Sequence, residues 1–390
     1  MDRSKMSKDA LKHFSQLFTE AKWFYNYCLG LDNVNDADTT TKVVPVKVGE
    51  QFEDRPLKVL TGQMKQSLKT RLFGSLSALK SLKQNGHRIG RLKFKGRINS
   101  IPLKQLGGNG HSGTYYIDRE RSRVKVQGWK PWIRVGGLHQ IPADAEIANA
   151  VLVRKANNFY FNITTFIEKQ ERVVSEESIG IDFGCQTQLT FSNGIKAEFQ
   201  VSVSKKIRRF DRKIKRKDRP DSKKKRQDQL KRQREYQHLT NKKKDIRNKI
   251  VNAITNNFRY VCFQDESIHA WHAGNHGRKI QNSGIGGIIS DLKHKSATPL
   301  EVSKFFPSTK LCPQCDQLNK LYLGDRTYIC DCGFSCDRDI KSAQCIEAEA
   351  MKAIPTDGRD FKTREISTST FFDILSDIGG VKVSKLESMN

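Results

Sequence analysis

Three acidic positions and two cysteine pairs are the residues of this chain whose types and spacing could do chemistry. Asp182 stands between Ile181 and Phe183 in the apolar run of ESIGIDFGCQTQLTFSNG, which reads as a strand, a tight turn at Gly184 and a return strand. Burying a carboxylate there costs several kcal/mol unless a cation or a hydrogen-bond partner offsets it. A second apolar run, FRYVCFQDES, ends in Asp265 and Glu266, and DRDIKSAQCI places Asp337 and Asp339 at the start of a helical pattern. Taken alone, each acid is as well explained by a helix cap or a surface charge. Taken together, acids at the ends of three elements are what a two-metal phosphodiesterase needs. Oxygen ligands suit Mg²⁺, and two ions about 3.5–4 Å apart activate water and stabilise the leaving oxygen.

The cysteines divide by spacing. CPQC at Cys312 and Cys315 is a knuckle whose thiolates can share one Zn²⁺, and CDCG at Cys330 and Cys332 is a second pair with the glycine such turns favour. Because that second pair is C-x-C rather than C-x-x-C, Cys336 competes with Cys332 for the fourth ligand position. Cys345 lies at helical spacing beside Ala343 and Ile346 and reads as packed, while Cys28 and Cys262 sit in apolar surroundings.

Other elements must position these groups. Leu11, Phe14, Leu17, Phe18, Ala21, Phe24, Tyr25 and Cys28 recur at three and four, so the spacing predicts an amphipathic helix from Lys8 to Leu29. GLDNVNDADTTTK reads as a polar loop. A second helix is expected from Pro56, with Leu57, Leu60, Met64, Leu68, Leu72 and Leu79 as its buried stripe and Lys58, Lys65, Lys69, Arg71 and Lys80 as its basic face. From about Gly86 to Lys169, short alternating runs such as RVKVQG and FYFNITTF predict an antiparallel barrel or sandwich. Between Lys205 and Lys249 stand 22 Lys or Arg against 6 Asp or Glu. Ile207, Phe210 and Ile214, then Leu239, Ile246, Ile250 and Ile254, give that charge run two helical faces, with RPDS between them and Ser222 as N-cap. The reading is a basic helical hairpin, with a solvated charge run as its plainer alternative. After about Pro355 the periodicity is weak, and disorder is expected.

At 390 residues the chain has room for several cores. A formal net charge of +28 points to a polyanionic partner, with nucleic acid first. No run of about 18 apolar residues is present, and MDRSKMSKDALKHF is not a signal peptide. An intracellular protein with no membrane partner is expected. Nine cysteines, an odd number gathered towards the C-terminal part, favour metal ligation over a disulfide framework.

Taken in order, GIDFG, the QDE after an apolar strand, FFPSTKLCPQC, LGDRTYIC with its CDCG, and DRDIKSA form a specific set. It resembles the RNA-guided nucleases that comprise transposon-encoded TnpB and the miniature type V CRISPR effectors. The likeness is best over Ser178 to Ile346. It implies a multidomain α+β chain: a helical recognition domain at 1–85 and a wedge-like β-barrel at 86–172, then a RuvC nuclease domain of RNase H-like fold at 173–310 and 336–355. That last domain would include the basic hairpin at 203–257 and be interrupted by a zinc ribbon at 311–335, with a tail at 356–390. It further implies Asp182, Glu266 and Asp339 as the catalytic, magnesium-binding acids, with Mn²⁺ as a substitute ion. Cys312, Cys315, Cys330 and Cys332 match the ligands of a structural Zn²⁺, and Arg326 matches an arginine near the active site that would steady the scissile phosphate. The implied partners are a guide RNA and double- and single-stranded target DNA, with a homodimer as one assembly, in the cytoplasm or nucleoid of a prokaryote. The products would carry a 3′-hydroxyl and a 5′-phosphate. A cleavage-deficient, RNA-guided DNA-binding regulator is the rival reading, and the intact acids argue against it. A transposase or resolvase without guide RNA would not need the ribbon. Two positions depart from the family pattern. The chain opens on a helix rather than a wedge strand, so the barrel is expected to be incomplete or differently closed. Lys341 stands where an asparagine is usual, which would alter the surroundings of the metals.

Overall fold

A computed structural model describes residues 1, 6–108, 112–156, 158–168, 177–217, 219, 222–274, 276–322, 324–354 and 367–385. They divide into two compact units, 1–169 and 170–390. The expected domain boundary at 172 lies outside the described residues.

In the first unit, α1 (Lys8–Gly30) starts where the Ser7 hydroxyl accepts the Ala10 N–H at 3.1 Å. Its predicted stripe is the buried one, from Phe14 through Cys28. Next come β1 (Val43–Val48) and β2 (Gln51–Pro56), an antiparallel hairpin turning at Gly49, whose φ is +63°. This hairpin was not expected. Helix α2 (Gly62–Gln84) then starts six residues later than predicted. Leu57 and Leu60 are buried as their spacing suggested, but in an extended approach whose Val59 and Leu60 N–H groups, each at 2.8 Å, are taken by the buried Glu20 carboxylate of α1.

Strands β3 (Ser100–Leu103), β4 (Tyr115–Asp118), β5 (Arg123–Val126), β6 (Ile133–Arg134), β7 (Glu146–Arg154) and β8 (Phe159–Phe166) form two three-stranded antiparallel sheets, β3-β7-β8 and β4-β5-β6. The expected barrel is corrected by this: among the described residues no ladder joins the two sheets, and the isolated bridge of Leu106 to Tyr115 ties only the segment after β3 to β4. Strands of two to four residues are too short to wrap a closed circuit. Ile101, Leu103 and Leu152 of one sheet and Tyr115, Val124 and Val126 of the other instead share a core with Phe14 and Phe18 of α1.

The second unit is built on β9 (Ser178–Phe183), β10 (Leu189–Phe191) and β11 (Ile195–Glu198). They lead into α3 (Lys205–Lys215) and the 35-residue α4 (Lys223–Asn257), which Ser222 caps by accepting the Lys225 N–H. There follow β12 (Tyr260–Gln264), α5 (Ile268–Ala273), α6 (Gly277–Ser283), α7 (Ile285–Lys295) and β13 (Thr298–Val302). A small hairpin, β14 (Thr327–Ile329) with β15 (Ser335–Asp337), runs directly into α8 (Arg338–Met351). Last come α9 (Thr368–Ser376) and β16 (Lys382–Lys385). The six-stranded sheet has the order β13-β12-β9-β10-β11-β16, with β12 parallel to both β9 and β13 and the other pairs antiparallel.

Disorder of the whole tail is thereby corrected, although residues 355–366 and 386–390 lie outside the described set. β16 pairs with β11, and the fully buried Phe371 of α9 meets Phe191 and Phe258 edge-on at 5.2 and 4.9 Å. Such burial of an aromatic ring is worth about 2–3 kcal/mol, which the tail's own short pattern does not advertise.

Candidate metal centre and zinc cluster

Alternation along the strands decides where the acids point. Ile179, Ile181 and Phe183 of β9, with Val261 and Phe263 of β12, enter the core shared with α4, α7 and α9. Gly180 and Asp182 therefore face the other side of the sheet, and so do Cys262 and Gln264, with Glu266 two residues on. Helix α8 packs there through Ile346 and Ala350 against Cys262. The approach is close: a Cβ added at Gly180 would lie 2.1 Å from the Ala343 carbonyl oxygen, so only glycine lets the helix seat. The N-terminal turn of α8 then carries Asp339 towards Asp182.

Electrostatics report the result. Burial, then the charges of Asp339 and Glu266, push the Asp182 carboxyl up to about 8. Glu266 is raised to about 7 by burial and by the neighbouring Asp265. Asp182, raised in part by the charges of the other two, is the centre of a carboxylate set suited to hard cations, since bound positive charge offsets that repulsion. Asp339 is held by the Arg338 guanidinium at 3.2 Å, and Arg326 Nη1 lies 3.9 Å away on an exposed side chain whose Nη2 donates to Gln186 at 2.9 Å. Sequence reasoning singled out neither Arg338 nor Gln186. The signal for Arg338 was its place between two aspartates in DRD.

Asp337 is the N-cap of α8, accepting the Asp339 and Ile340 N–H groups at 3.0 and 3.1 Å, and both its oxygens accept from Lys196 of β11 at 2.8 Å. It thus fixes the turn that presents Asp339.

A pH prediction follows from the raised carboxyls. Their folded pKa values exceed the unfolded value of about 4, so the native chain binds protons that the unfolded chain has released, and stability falls with rising pH between about 4 and the folded values. In buffer stripped of free divalent ions, the melting-temperature advantage of Asp182→Asn over wild type should grow from pH 5 to pH 8, and Mg²⁺ should shrink it. A difference that does not vary with pH would count against the raised carboxyl.

The sulfurs of Cys312, Cys315, Cys330 and Cys332 lie within 4.8 Å of one another, with Cys312 to Cys332 at 3.7 Å and Cys315 to Cys330 at 3.5 Å. A tetrahedral zinc with bonds of about 2.3 Å has sulfur–sulfur edges of about 3.8 Å, so the donor set fits. Backbone geometry brings them together. The Asp316 N–H returns to the Cys312 carbonyl at 3.0 Å, and Gly333 takes a φ of +92° as its N–H meets the Cys330 carbonyl at 2.9 Å. The Cys332 backbone N–H, then the Asn319 amide, hold the Cys330 thiol below its usual range. Cys336 lies on β15, outside this group, and Cys345 is buried with its thiol towards the Leu311 carbonyl.

Residues 290–346, which contain the cysteine cluster and Asp339, match the family model described as Cas12f1-like, TNB domain. Over these residues the chain is similar to that family. A protein of Streptomyces pristinaespiralis, named provisionally as an RNA-guided DNA endonuclease, is 28% identical over 126 residues. That match covers 31% of this chain and 31% of the relative's length. In the basic hairpin two acids are engaged internally, Asp228 with Lys217 at 2.5 Å and Asp211 with Arg232 at 3.0 Å, while Lys223 and Lys224 are exposed. Lys225 donates to the Lys217 carbonyl at 2.7 Å. Among the described residues, no helix is long and apolar enough to cross a membrane.

Proposed function

We propose that this protein is an RNA-guided DNA endonuclease that hydrolyses target DNA at Asp182, Glu266 and Asp339, with the four-cysteine cluster holding a structural Zn²⁺. The placement of Asp182 within the field of both Asp339 and Glu266, on the face of the sheet that α8 covers, carries the reading. Further support comes from the sheet order, three antiparallel strands followed by parallel β12 and β13 with a helix laid over β9, which is the arrangement of an RNase H-like domain. Mg²⁺, or Mn²⁺ in its place, would be held by the three acids and would supply activation of water and stabilisation of the leaving oxygen.

The chain's own residues do the rest. Arg338 fixes one carboxylate oxygen of Asp339, and Asp337 with Lys196 fixes the turn that carries it. Arg326, exposed and loosely held, is placed to meet a phosphate oxygen and to offset charge as it develops. Sequence is read by base pairing between guide and target, while the protein grips backbone and shape. The basic hairpin fits the guide RNA or the entrance to the cleavage site. Target binding without cutting is the rival, and the acid cluster is the observation against it.

Two experiments bear on this. Sequencing the RNA that co-purifies should return one scaffold with a variable guide segment; a chain that carries no RNA would overturn the guided reading. Neutralising Lys223 and Lys224 to Gln should weaken nucleic-acid binding and lower the slope of log affinity against log salt by about 1–2, since each lost phosphate contact releases fewer counterions. An unchanged slope would make this run a solvated face.

A further inference from the structure

Lys341 is fully buried and lies two residues after Asp339 on α8. Among the described residues no carboxylate bonds it. Its three ammonium donors are spent on the carbonyls of Ser308, Thr309 and Leu311, at 2.9, 2.7 and 2.9 Å, and the ring of Tyr328 covers it at 4.0 Å. A buried ammonium is tolerated only where every donor is satisfied and the surroundings are rigid. Those carbonyls belong to the segment that enters the cysteine knuckle, and Leu311 directly precedes Cys312.

The same segment is gripped from β12. The Gln264 amide donates to the Ser303 and Phe306 carbonyls at 3.0 and 2.8 Å, and its oxygen accepts the Ser308 hydroxyl at 3.0 Å. Ser342 Oγ of α8 meets Ser308 Oγ at 3.0 Å. Gln264 lies two residues before Glu266, as Lys341 lies two residues after Asp339. One short segment is therefore fastened to both carboxylate-bearing elements and ends in the zinc knuckle. Tyr328, which lies over the ammonium, is buried in the ribbon and donates to the Lys310 carbonyl at 3.3 Å.

We propose that Lys341 is a positioning residue that links the zinc knuckle to the carboxylate cluster, so that divalent-cation binding at the acids and zinc retention at the cysteines strengthen each other. The proposal rests on reading the three acids as a divalent-cation site. Closing the knuckle fixes the three carbonyls, the carbonyls fix the ammonium, and the ammonium holds the turn of α8 that presents Asp339. Linkage requires the effect to run equally in both directions. It is therefore measurable from the zinc side, without any cleavage assay.

The test uses the full chain with its co-purified RNA and follows zinc transfer to a zinc-selective chromogenic chelator, with and without saturating Mg²⁺. In the wild type, Mg²⁺ should slow zinc loss by about 5-fold or more, the lower end of ordinary coupling between sites. Asp182→Asn should abolish the slowing, because the acid site transmits it. Lys341→Gln keeps two N–H donors and loses the charge; it should still bind one zinc, lose it faster, and no longer respond to Mg²⁺. Slowing of equal size in Lys341→Gln would overturn the proposal. So would a wild type that binds Mg²⁺ by calorimetry yet releases zinc at an unchanged rate, an arm that depends on no variant folding. If calorimetry shows no Mg²⁺ binding that depends on Asp182, the divalent-site reading itself fails, a different outcome from failure of the link.

Discussion

Changing Asp182, Glu266 or Asp339 singly to Ala should lower Mg²⁺-dependent cleavage of target DNA by on the order of 10³-fold or more while guided binding survives. A metal ligand contributes several kcal/mol to the transition state, and about 1.4 kcal/mol is tenfold in rate. In the proposed reading the grip on RNA and DNA is made elsewhere, so the ground-state complex should be little changed. Asp337→Ala should be milder but not silent. It removes a helix cap worth about 1–2 kcal/mol and leaves Lys196 without its two bonds to Asp337, so Asp339 keeps its side chain but loses its fixed turn. The measurement is cleavage by the wild type with its native RNA beside gel-shift binding for each variant. Target binding without any cutting in Mg²⁺ or Mn²⁺ would turn the reading to the regulator.

Zinc carries the second large effect. Wild type should hold one zinc per chain by elemental analysis, and Cys312→Ser or Cys332→Ser should hold far less, with the ribbon loosened to proteolysis. Structural zinc contributes about 10–16 kcal/mol of apparent binding energy in small finger peptides, and this ribbon buries little besides Cys312, Tyr328 and Cys330. Cys336→Ser should keep its zinc, because Cys336 lies in the β15 ladder opposite Tyr328. Full occupancy in Cys312→Ser, or loss in Cys336→Ser, would contradict the cluster.

What the sequence made legible was governed by how local the cause is. A three-four stripe on α1 and a carboxylate inside an apolar strand are written in adjacent residues, and so is the C-x-x-C knuckle. The β1–β2 hairpin was missed because only Val44 of its first strand is fully buried and Pro45 interrupts it. Its two strands pair with each other alone. Leu57 and Leu60 copied a helical spacing while lying in an extended approach, held by the Lys42 carbonyl, which takes the Leu57 N–H, and by Glu20, some forty residues upstream, which takes those of Val59 and Leu60. Leu79 had been placed on the buried stripe of α2, but the buried run ends at Leu72, and Phe73, Leu76 and Leu82 stand exposed. Lys341 was read as an alteration around the metals. Its side chain also reaches the ribbon segment, where three carbonyls converge, and no spacing rule shows such convergence.

The sheet's last strand has a bearing on how the protein is made. Chains grow at about 5–20 residues per second, so β16 leaves the ribosome's active site roughly 10 to 40 seconds after β9, some two hundred residues upstream. Until then the edge of β11 lacks its partner, and the slot between Phe191 and Phe258 lacks Phe371. The upstream unit, whose core draws only on its own residues, has no such wait. Nascent molecules therefore pass through an interval in which one half is finished and the other presents an open β-edge beside an apolar cleft, the stretch of their life in which a chaperone has most to cover.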